Sequence, residues 1–332
     1  SPNHAEAEQV IADLEGAEAA LLLGSGMGAI SSAVMTFVSQ GDHVVGQRNL
    51  YAGTTSLLEK MLPRFGVETT LVDQTDLDAF AAAIRPETKL IVVETPVNPL
   101  MTLTDLAGIA ALARAHGILT LVDNTFASPV NQNPLDFGID MVVHSATKYM
   151  GGHSDLIAGA VAGSAEHIEA IWRTSLVTGA SINGFDCWLL LRGLRTLPLR
   201  VKQHNHNAEA IAAALSEHPQ IETVFYPGLE SHPQNELART QMSGFGGMVS
   251  FRVQGGFAET DTFISALNLI GRTVSLGGVH TTIVHPAAMW AGSYSESELA
   301  EKGILLNLVR LSVGLEDAAD LIDDLNAALA AL

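Results

Sequence analysis

Apolar, β-branched runs alternate with helical patterns through the first half of this chain, and that alternation narrows the fold more than any other feature. Leu90-Ile91-Val92-Val93-Glu94 reads as a buried strand, Asp105 to His116 as a helix stopped by Gly117, Ile118 to Asp123 as the next strand, and Met141 to His144 as a third. Thr75-x-x-Asp78 reads as a weak capping box, opening a helix that ends before Pro86. Strand, helix and strand at this spacing need crossover connections, which set the strands parallel in one sheet with helices on its faces. The expected class is α/β.

After Ile182 the pattern changes. A long helical stretch from Phe185 to about Leu215 is interrupted at Leu197-Pro198. It is followed by a Tyr226-Pro227-Gly228 turn, a strand over Met248–Val253, a helix over Glu259–Leu269 and a last helix from Glu316. These elements predict a smaller C-terminal α+β domain, with the division near Pro198: residues 1–198 form the large, mainly parallel-sheet domain and 199–332 the second. No repeat or low-complexity tail interrupts them.

The charge balance excludes whole classes of partner. With a net charge of −19, the surface opposes nucleic acid and anionic membranes, so any phosphate must be gripped locally. Hydrophobic residues make up 47% and charged residues 16%, ample for a large core. No charge occurs between Glu18 and Asp42, a length that raises a membrane span. Gly24, Ser25, Gly26, Gly28, Ser31 and Ser32 break it instead into a short strand, a turn and a helix. The single cysteine, Cys187, rules out a disulfide framework or a thiolate cluster and reads as buried filler. The chain opens Ser1-Pro2 without methionine, so further natural residues are expected upstream. No signal-peptide pattern is present, and a cytoplasmic location is expected.

Ligands of open parallel sheets sit beyond the carboxyl ends of the strands. Three successive strands end here in Glu94-Thr95-Pro96-Val97-Asn98-Pro99, Asp123-Asn124-Thr125 and His144-Ser145-Ala146-Thr147-Lys148. A carboxylate, Asp123, and a lysine, Lys148, therefore emerge on one rim. Either they form an ion pair that closes the sheet edge, or Lys148 is a partly desolvated amine able to form a Schiff base. The turn Gly24-Ser25-Gly26-Met27-Gly28-Ala29 leads from a strand into a helix, an arrangement that binds phosphate. It also matches the letters of a dinucleotide fingerprint. That motif needs an acidic residue closing the next strand, whereas Asp42 precedes His43-Val44-Val45.

A phosphate cradle, a Schiff-base lysine and a carboxylate for a ring nitrogen are the requirements of pyridoxal phosphate. The sequence resembles the Cys/Met-metabolism family of pyridoxal-phosphate enzymes, which includes methionine and cystathionine γ-lyases, cystathionine γ-synthase and the O-acylhomoserine sulfhydrylases. The resemblance covers essentially the whole chain. It is carried by Leu14-Glu-Gly-Ala-Glu18, Ser25-Gly-Met27, Leu50-Tyr51, Glu94-Thr-Pro96 with Asn98-Pro99, Val122-Asp-Asn-Thr125 and His144-Ser-Ala-Thr-Lys-Tyr149. Further on, Tyr226-Pro-Gly-Leu229, the run from Gln241 to Met248, Ser275-Leu-Gly277 and the run from Val309 to Asp317 continue it.

The resemblance implies a fold-type-I pyridoxal-phosphate-dependent transferase fold, with a cofactor domain over 1–198 and a substrate-carboxylate domain over 199–332. It implies Lys148 as the Schiff-base lysine and proton shuttle, Asp123 as the partner of the pyridinium nitrogen, and Tyr51 as ring stack and acid–base group. Asn98 is implied at the ring's phenolic oxygen and beside the substrate. Ser25, Gly26 and Met27, with Ser145 and Thr147, would hold the phosphate, and Arg310, helped by the turn at Ser275, the substrate carboxylate. The competing reading makes Arg310 an ion-pair partner of Glu316 or Asp317. No metal is expected. His204 and His206 fall on different sides of a helix, and Asp320, Asp323 and Asp324 read as a solvated helix face.

The implied reaction is γ-elimination from a sulfur-containing amino acid, giving a 2-oxo acid, ammonia and a thiol. The alternative is γ-replacement on an O-acylhomoserine. A dinucleotide oxidoreductase and a non-catalytic relative are the readings from other classes. The implied partners are a small amino-acid substrate and further copies of the chain, as a dimer or dimer of dimers with the active site at the interface. Family members carry an upstream Tyr-x-Arg that this sequence starts after. Gly53 stands where methionine γ-lyases usually have cysteine, which reads as an enlarged pocket. His280 stands where cystathionine-handling members usually have glutamate, which argues against a cationic distal group on the substrate.

Overall fold

The apolar runs of the first half join in one seven-stranded sheet. The computed structural model describes residues 1–292 and 295–332 and divides into two units. The first comprises Ser1–Asn98 and Thr102–Leu197, the second Pro99–Met101 and Pro198–Leu332. In the first unit the strands are β1 (Ala19–Leu23), β2 (His43–Gln47), β3 (Glu68–Val72), β4 (Thr88–Glu94), β5 (Leu119–Asp123), β6 (Met141–His144) and β7 (Gly159–Gly163). Their order is β1-β7-β6-β5-β4-β2-β3. The ladder from β3 to β6 is parallel, and β7 is antiparallel to both β6 and β1. The α/β class and mainly parallel sheet expected from the sequence are present.

Both faces of this sheet are buried, which is why its strands read as continuous apolar runs. Leu90, Val92, Leu121 and Val143 pack on one side with Leu23, Ile30 and Val34. Ile91, Val93 and Val122 pack on the other with Phe80 and Ile109. The helices end where local chemistry dictates. Asp105 caps Leu106–His116 by accepting from Gly108 N at 3.0 Å, and Gly117, at φ 66°, closes it. The helix Leu77–Ala83 is capped by Asp76, whose carboxylate accepts from Ala79 N at 2.9 Å. Thr75, the capping residue expected from sequence, bonds Asp73 instead, because that carboxylate lies two residues away and takes both its N–H and its hydroxyl.

The helices α1 (Pro2–Glu15) and α2 (Gly26–Phe37) flank β1. Ser25 caps α2 by accepting from Gly28 N at 2.9 Å. The start of α2 presses so closely on β7 that a Cβ on Gly159 would come within 2.0 Å of Ser25 O. The uncharged stretch is thus a strand, a turn and a helix. Among the described residues no helix is long and apolar enough to cross a membrane.

The second unit holds β8 (Ile221–Phe225), β9 (Met248–Val253), β10 (Gly271–Arg272), β11 (Thr282–Val284) and β12 (Leu308–Ser312), ordered β10-β11-β12-β9-β8. All its pairings are antiparallel except β10 with β11. The long helical stretch is two helices, Gly184–Leu194 and Leu197–Ser216, with Pro198 in the first turn of the second, where its missing N–H costs nothing. Ile211 and Leu215 of that helix, Phe263 of Phe257–Ala266 and Leu325 of Ala318–Leu329 cover Val249, Phe251, Val309 and Leu311.

His204 is fully buried in this core, its Nδ1 2.7 Å from Val313 O. Burial is the main cause that lowers its pKa to about 4. The folded state therefore favours neutral imidazole, so the contribution is complete above the unfolded value near 6.5 and is lost as pH falls toward 4. Urea titrations between pH 7 and 4 should show up to roughly 3 kcal/mol lost through this group. His204→Asn, which cannot titrate, should flatten that dependence; an unchanged slope would exclude His204 as its source.

Candidate active site

Because β7 alone runs against the others, β1, β2, β4, β5 and β6 all end on the same rim of the sheet. Each proposed cofactor residue follows one of those ends. Ser25, Gly26 and Met27 come after β1, Tyr51 after β2, and Asn98 after β4. Asp123 closes β5, while Ser145, Thr147 and Lys148 form the turn after β6. Lys148 N donates to Ser145 O at 3.0 Å, and Gly152 N to Lys148 O at 2.7 Å, which fixes the backbone from which the half-buried lysine projects.

These ends are tied into a closed circuit. Asp123 Oδ1 accepts from Thr125 N at 3.0 Å and Thr125 Oγ1 at 2.5 Å. Thr125 Oγ1 in turn accepts from Ser145 N at 2.8 Å. Ser145 lies against Gly26, where an added Cβ would sit 2.8 Å from the serine Cβ. A Cβ on Gly53 would meet Met27 Sδ at 2.6 Å and the Tyr51 ring at 2.7 Å. Tyr51 N donates to Glu94 Oε2 at 2.7 Å, and Glu94 pairs in register with Asp123 across β4 and β5. The glycine at 53 therefore does not leave the space expected from sequence: the Tyr51 ring and the Met27 sulfur already occupy it.

Two carboxylates thus stand side by side on one face. Burial is the first cause that raises the pKa of each, and for Glu94, pushed up to about 8, the neighbouring Asp123 charge is the second. The Thr125 bonds oppose the rise at Asp123, and the Coulombic influence of His144 does so more weakly. A cation at Asp123 would relieve both groups. Thr147 is less available than expected: its hydroxyl donates to Ala158 O at 3.1 Å and accepts from Ala158 N at 3.0 Å. To serve a phosphate it must turn from that carbonyl.

In the second unit Arg310 is buried on β12, and its Nη2 donates to Ser275 O at 2.9 Å. Ser275 holds φ at 81°, a left-handed conformation that costs a serine roughly 1 kcal/mol. The acids proposed as rivals for Arg310 are otherwise engaged: Glu316 takes Thr281 N and Oγ1, each at 2.7 Å, and Asp317 caps Ala318–Leu329. His280 and His206 are exposed, His204 is buried, and no group of three potential metal ligands occurs among the described residues. Cys187 is buried, as expected. Asp324 departs from the solvated-face reading, because it accepts from Asn268, Leu269 and Ile270 N at 2.9, 2.9 and 3.0 Å.

Sequence reasoning gave Glu94, Thr125 and Gln47 no role. Glu94 and Thr125 lie within the polar segments that close two successive strands, which is a signal in the sequence. Gln47, which brackets the Glu94 backbone, carried none. The residues present suit pyridoxal phosphate: helix N–H groups on a backbone too tightly packed for side chains, a half-buried carboxylate whose pKa is raised by desolvation, and a lysine on the same rim. By contrast β1 is the edge strand, paired only with the antiparallel β7, so the dinucleotide reading lacks its central parallel strand.

The comparisons agree with this chemistry. A model of the Cys/Met metabolism PLP-dependent enzymes matches residues 1–330. The chain is 47% identical to an L-methionine γ-lyase of Pseudomonas putida, across 98% of this chain and 82% of that one. It is 45% identical to an O-succinylhomoserine sulfhydrylase of Pseudomonas aeruginosa, across 98% and 81%. The crystal structure of cystathionine γ-lyase from Lactobacillus plantarum, in complex with L-serine, superposes with a TM-score of 0.95 at 42% identity, covering 100% of this chain and 87% of that one. With rim, circuit and lysine in place, the chain belongs to the Cys/Met metabolism family of pyridoxal-phosphate-dependent enzymes.

Proposed function

We propose that this enzyme catalyses γ-elimination from methionine or a related γ-substituted sulfur amino acid, consuming water and releasing a 2-oxo acid, ammonia and a thiol. The closed circuit around Asp123 supports the reading, because it links Asp123, the turn that opens α2 and Tyr51 on one rim with Lys148. The likeness to L-methionine γ-lyase supports the choice of substrate. The likeness to O-succinylhomoserine sulfhydrylase supports the second reading, γ-replacement on an O-acylhomoserine.

Pyridoxal phosphate, when bound, supplies an electron sink conjugated to the substrate's α-carbon. Residues 1–198 would carry it and 199–332 the carboxylate-binding Arg310. The N–H groups of Gly26 and Met27, with Ser25 and the hydroxyls of Ser145 and Thr147, would hold its phosphate against the negative net charge. Thr125 donates twice to Asp123 Oδ1, and the Asp123 carboxylate would hold the ring nitrogen, with Asn98 at the phenolic oxygen. Lys148 would hold the cofactor through its Nζ, and the same amine would take and move the substrate's α-proton. Tyr51 Oη delivers a proton to the departing sulfur. Arg310 grips the substrate carboxylate beside the Ser275 turn in a charge-assisted fork, with Asn98 assisting.

We also place the working enzyme in the cytoplasm as a dimer or dimer of dimers, with the active site at the subunit interface. Trp172, Leu176 and Val177 on the helix Ala165–Thr178, with Phe185 and Trp188 on Gly184–Leu194, leave large apolar side chains exposed, Val177 at 89%. Exposed apolar side chains of this size on an acidic protein suit a second copy of itself. Sedimentation should give at least a dimer; an active monomer would remove this part of the reading.

Two measurements test the chemistry. Borohydride reduction of the purified enzyme should leave a pyridoxyl group on the peptide bearing Lys148, and Lys148→Ala should lose turnover by several orders of magnitude. A label on Lys60, Lys89, Lys202 or Lys302 would displace the assignment. L-methionine, L-homocysteine and L-cystathionine should then be compared for 2-oxo-acid release, beside O-acetyl- and O-succinylhomoserine with sulfide or cysteine. Methionine or homocysteine should release 2-oxobutyrate without an added thiol. Negligible keto acid, with ester consumed only when a thiol is present, would establish the replacement reaction instead.

A further inference from the structure

Glu94 has no part in the proposed chemistry, yet backbone groups from two separate loops end on its carboxylate. Tyr51 N donates to Oε2 at 2.7 Å, and the Asn98 backbone N–H donates to the same carboxylate. The backbone of Glu94 is itself bracketed by the buried Gln47, whose Oε1 accepts from Glu94 N at 3.0 Å and whose Nε2 donates to Glu94 O at 2.9 Å. The same amide holds Asn49 O at 2.7 Å and Thr104 Oγ1 at 3.1 Å, which ties the β2–Tyr51 connection to the end of β4. Glu94 is 5% exposed and Gln47 0%, so the anchor sits in packed protein. The Tyr51 side chain, in contrast, is 53% exposed and stands at the head of the short helix Ala52–Ser56. What locates it is its backbone.

We infer that Glu94 is a positioning residue: by accepting the N–H groups of both Tyr51 and Asn98 it fixes the separation of the two residues assigned to the face and edge of the cofactor ring. This rests on the functional reading above for the roles of those two residues. The neighbouring Asp123 explains why a glutamate can do this while buried. Beside Asp123, and away from water, the Glu94 carboxyl is held well above the usual carboxylate range and still offers oxygens to two donors. Its neutral form is close in shape to glutamine.

The test uses the full chain, with and without pyridoxal phosphate, and the variants Glu94→Gln, Glu94→Ala and Glu94→Asp. Amide hydrogen exchange resolved at Tyr51 and Asn98 reads the contacts directly, and titration with pyridoxal phosphate, followed by absorbance, reads their consequence. In Glu94→Ala, exchange at both amides should rise about tenfold and cofactor affinity should fall by about tenfold, the size of one lost hydrogen bond. Val92 on the same strand should stay protected, which separates this effect from general unfolding. Glu94→Gln, which keeps an acceptor, should restore both readouts to within about threefold of the parent, an acceptor swap costing well under one hydrogen bond. Glu94→Asp, one methylene short, should resemble Glu94→Ala. If Glu94→Ala leaves the two amides as protected as before, or if Glu94→Gln fails to rescue them, the inference falls alone. If the amides open while cofactor affinity is unchanged, the assignment of Tyr51 and Asn98 to the ring falls, and the inference with it.

Discussion

The shared direction of five strand ends is the constraint on which the rest of the first unit depends. A side chain at the carboxyl end of a parallel strand needs no long loop to reach its neighbours, since adjacent strands lie only about 5 Å apart. Reversing β7 lets β1 join the outer edge without being turned round, so the start of α2 arrives on the same rim as Asp123 and Lys148. The contact of Gly159 with Ser25 O fixes how closely it arrives. Tight backbone packing therefore sets where the head of α2 lies, and hydrogen bonds donated by Thr125 to Asp123 and by Tyr51 N to Glu94 fix the neighbouring strand ends.

Much of this was legible in the letters because it obeys one-dimensional rules. Apolar runs bounded by Asp105 and Gly117, or by Ser25 and Gly24, mark their own ends. The polar residues that close Leu90–Glu94, Ile118–Asp123 and Met141–His144 mark the rim. What could not be read was pairing between distant segments. That Gln47 brackets Glu94, or that the Thr125 hydroxyl serves Asp123 and Ser145 at once, depends on strand order, which no local pattern specifies. The shift of the cap from Thr75 to Asp76 has the same origin on a smaller scale: three neighbouring polar side chains compete, and geometry chooses. Asp324, taken for a solvated residue, holds three N–H groups from a loop more than fifty positions away.

Electrostatics in this enzyme are local. A net charge of −19 gives no help in attracting a phosphate ester, and the chain has few lysines to offset it. Peptide N–H groups at the head of α2 can nevertheless bind an anion, because they are fixed in place and need no counter-ion of their own. The same separation of scales lets two carboxylates stand side by side at the end of β4 and β5 within an acidic protein. Burial raises the pKa of both, and at Glu94 the neighbouring Asp123 adds to the rise.

Gly53 shows what such close assembly means for divergence. Its missing side chain is the reason the Tyr51 ring and the Met27 sulfur can meet where they do. Met27 belongs to the turn that opens α2 and Tyr51 to the connection after β2, so any larger residue at 53 displaces parts of both. A descendant that acquires a new side chain there must first, or simultaneously, alter its neighbours. Substitutions at 27, 51 and 53 should consequently be epistatic, and their order of fixation, more than their identity, would determine which substrate specificities lie within reach of this lineage.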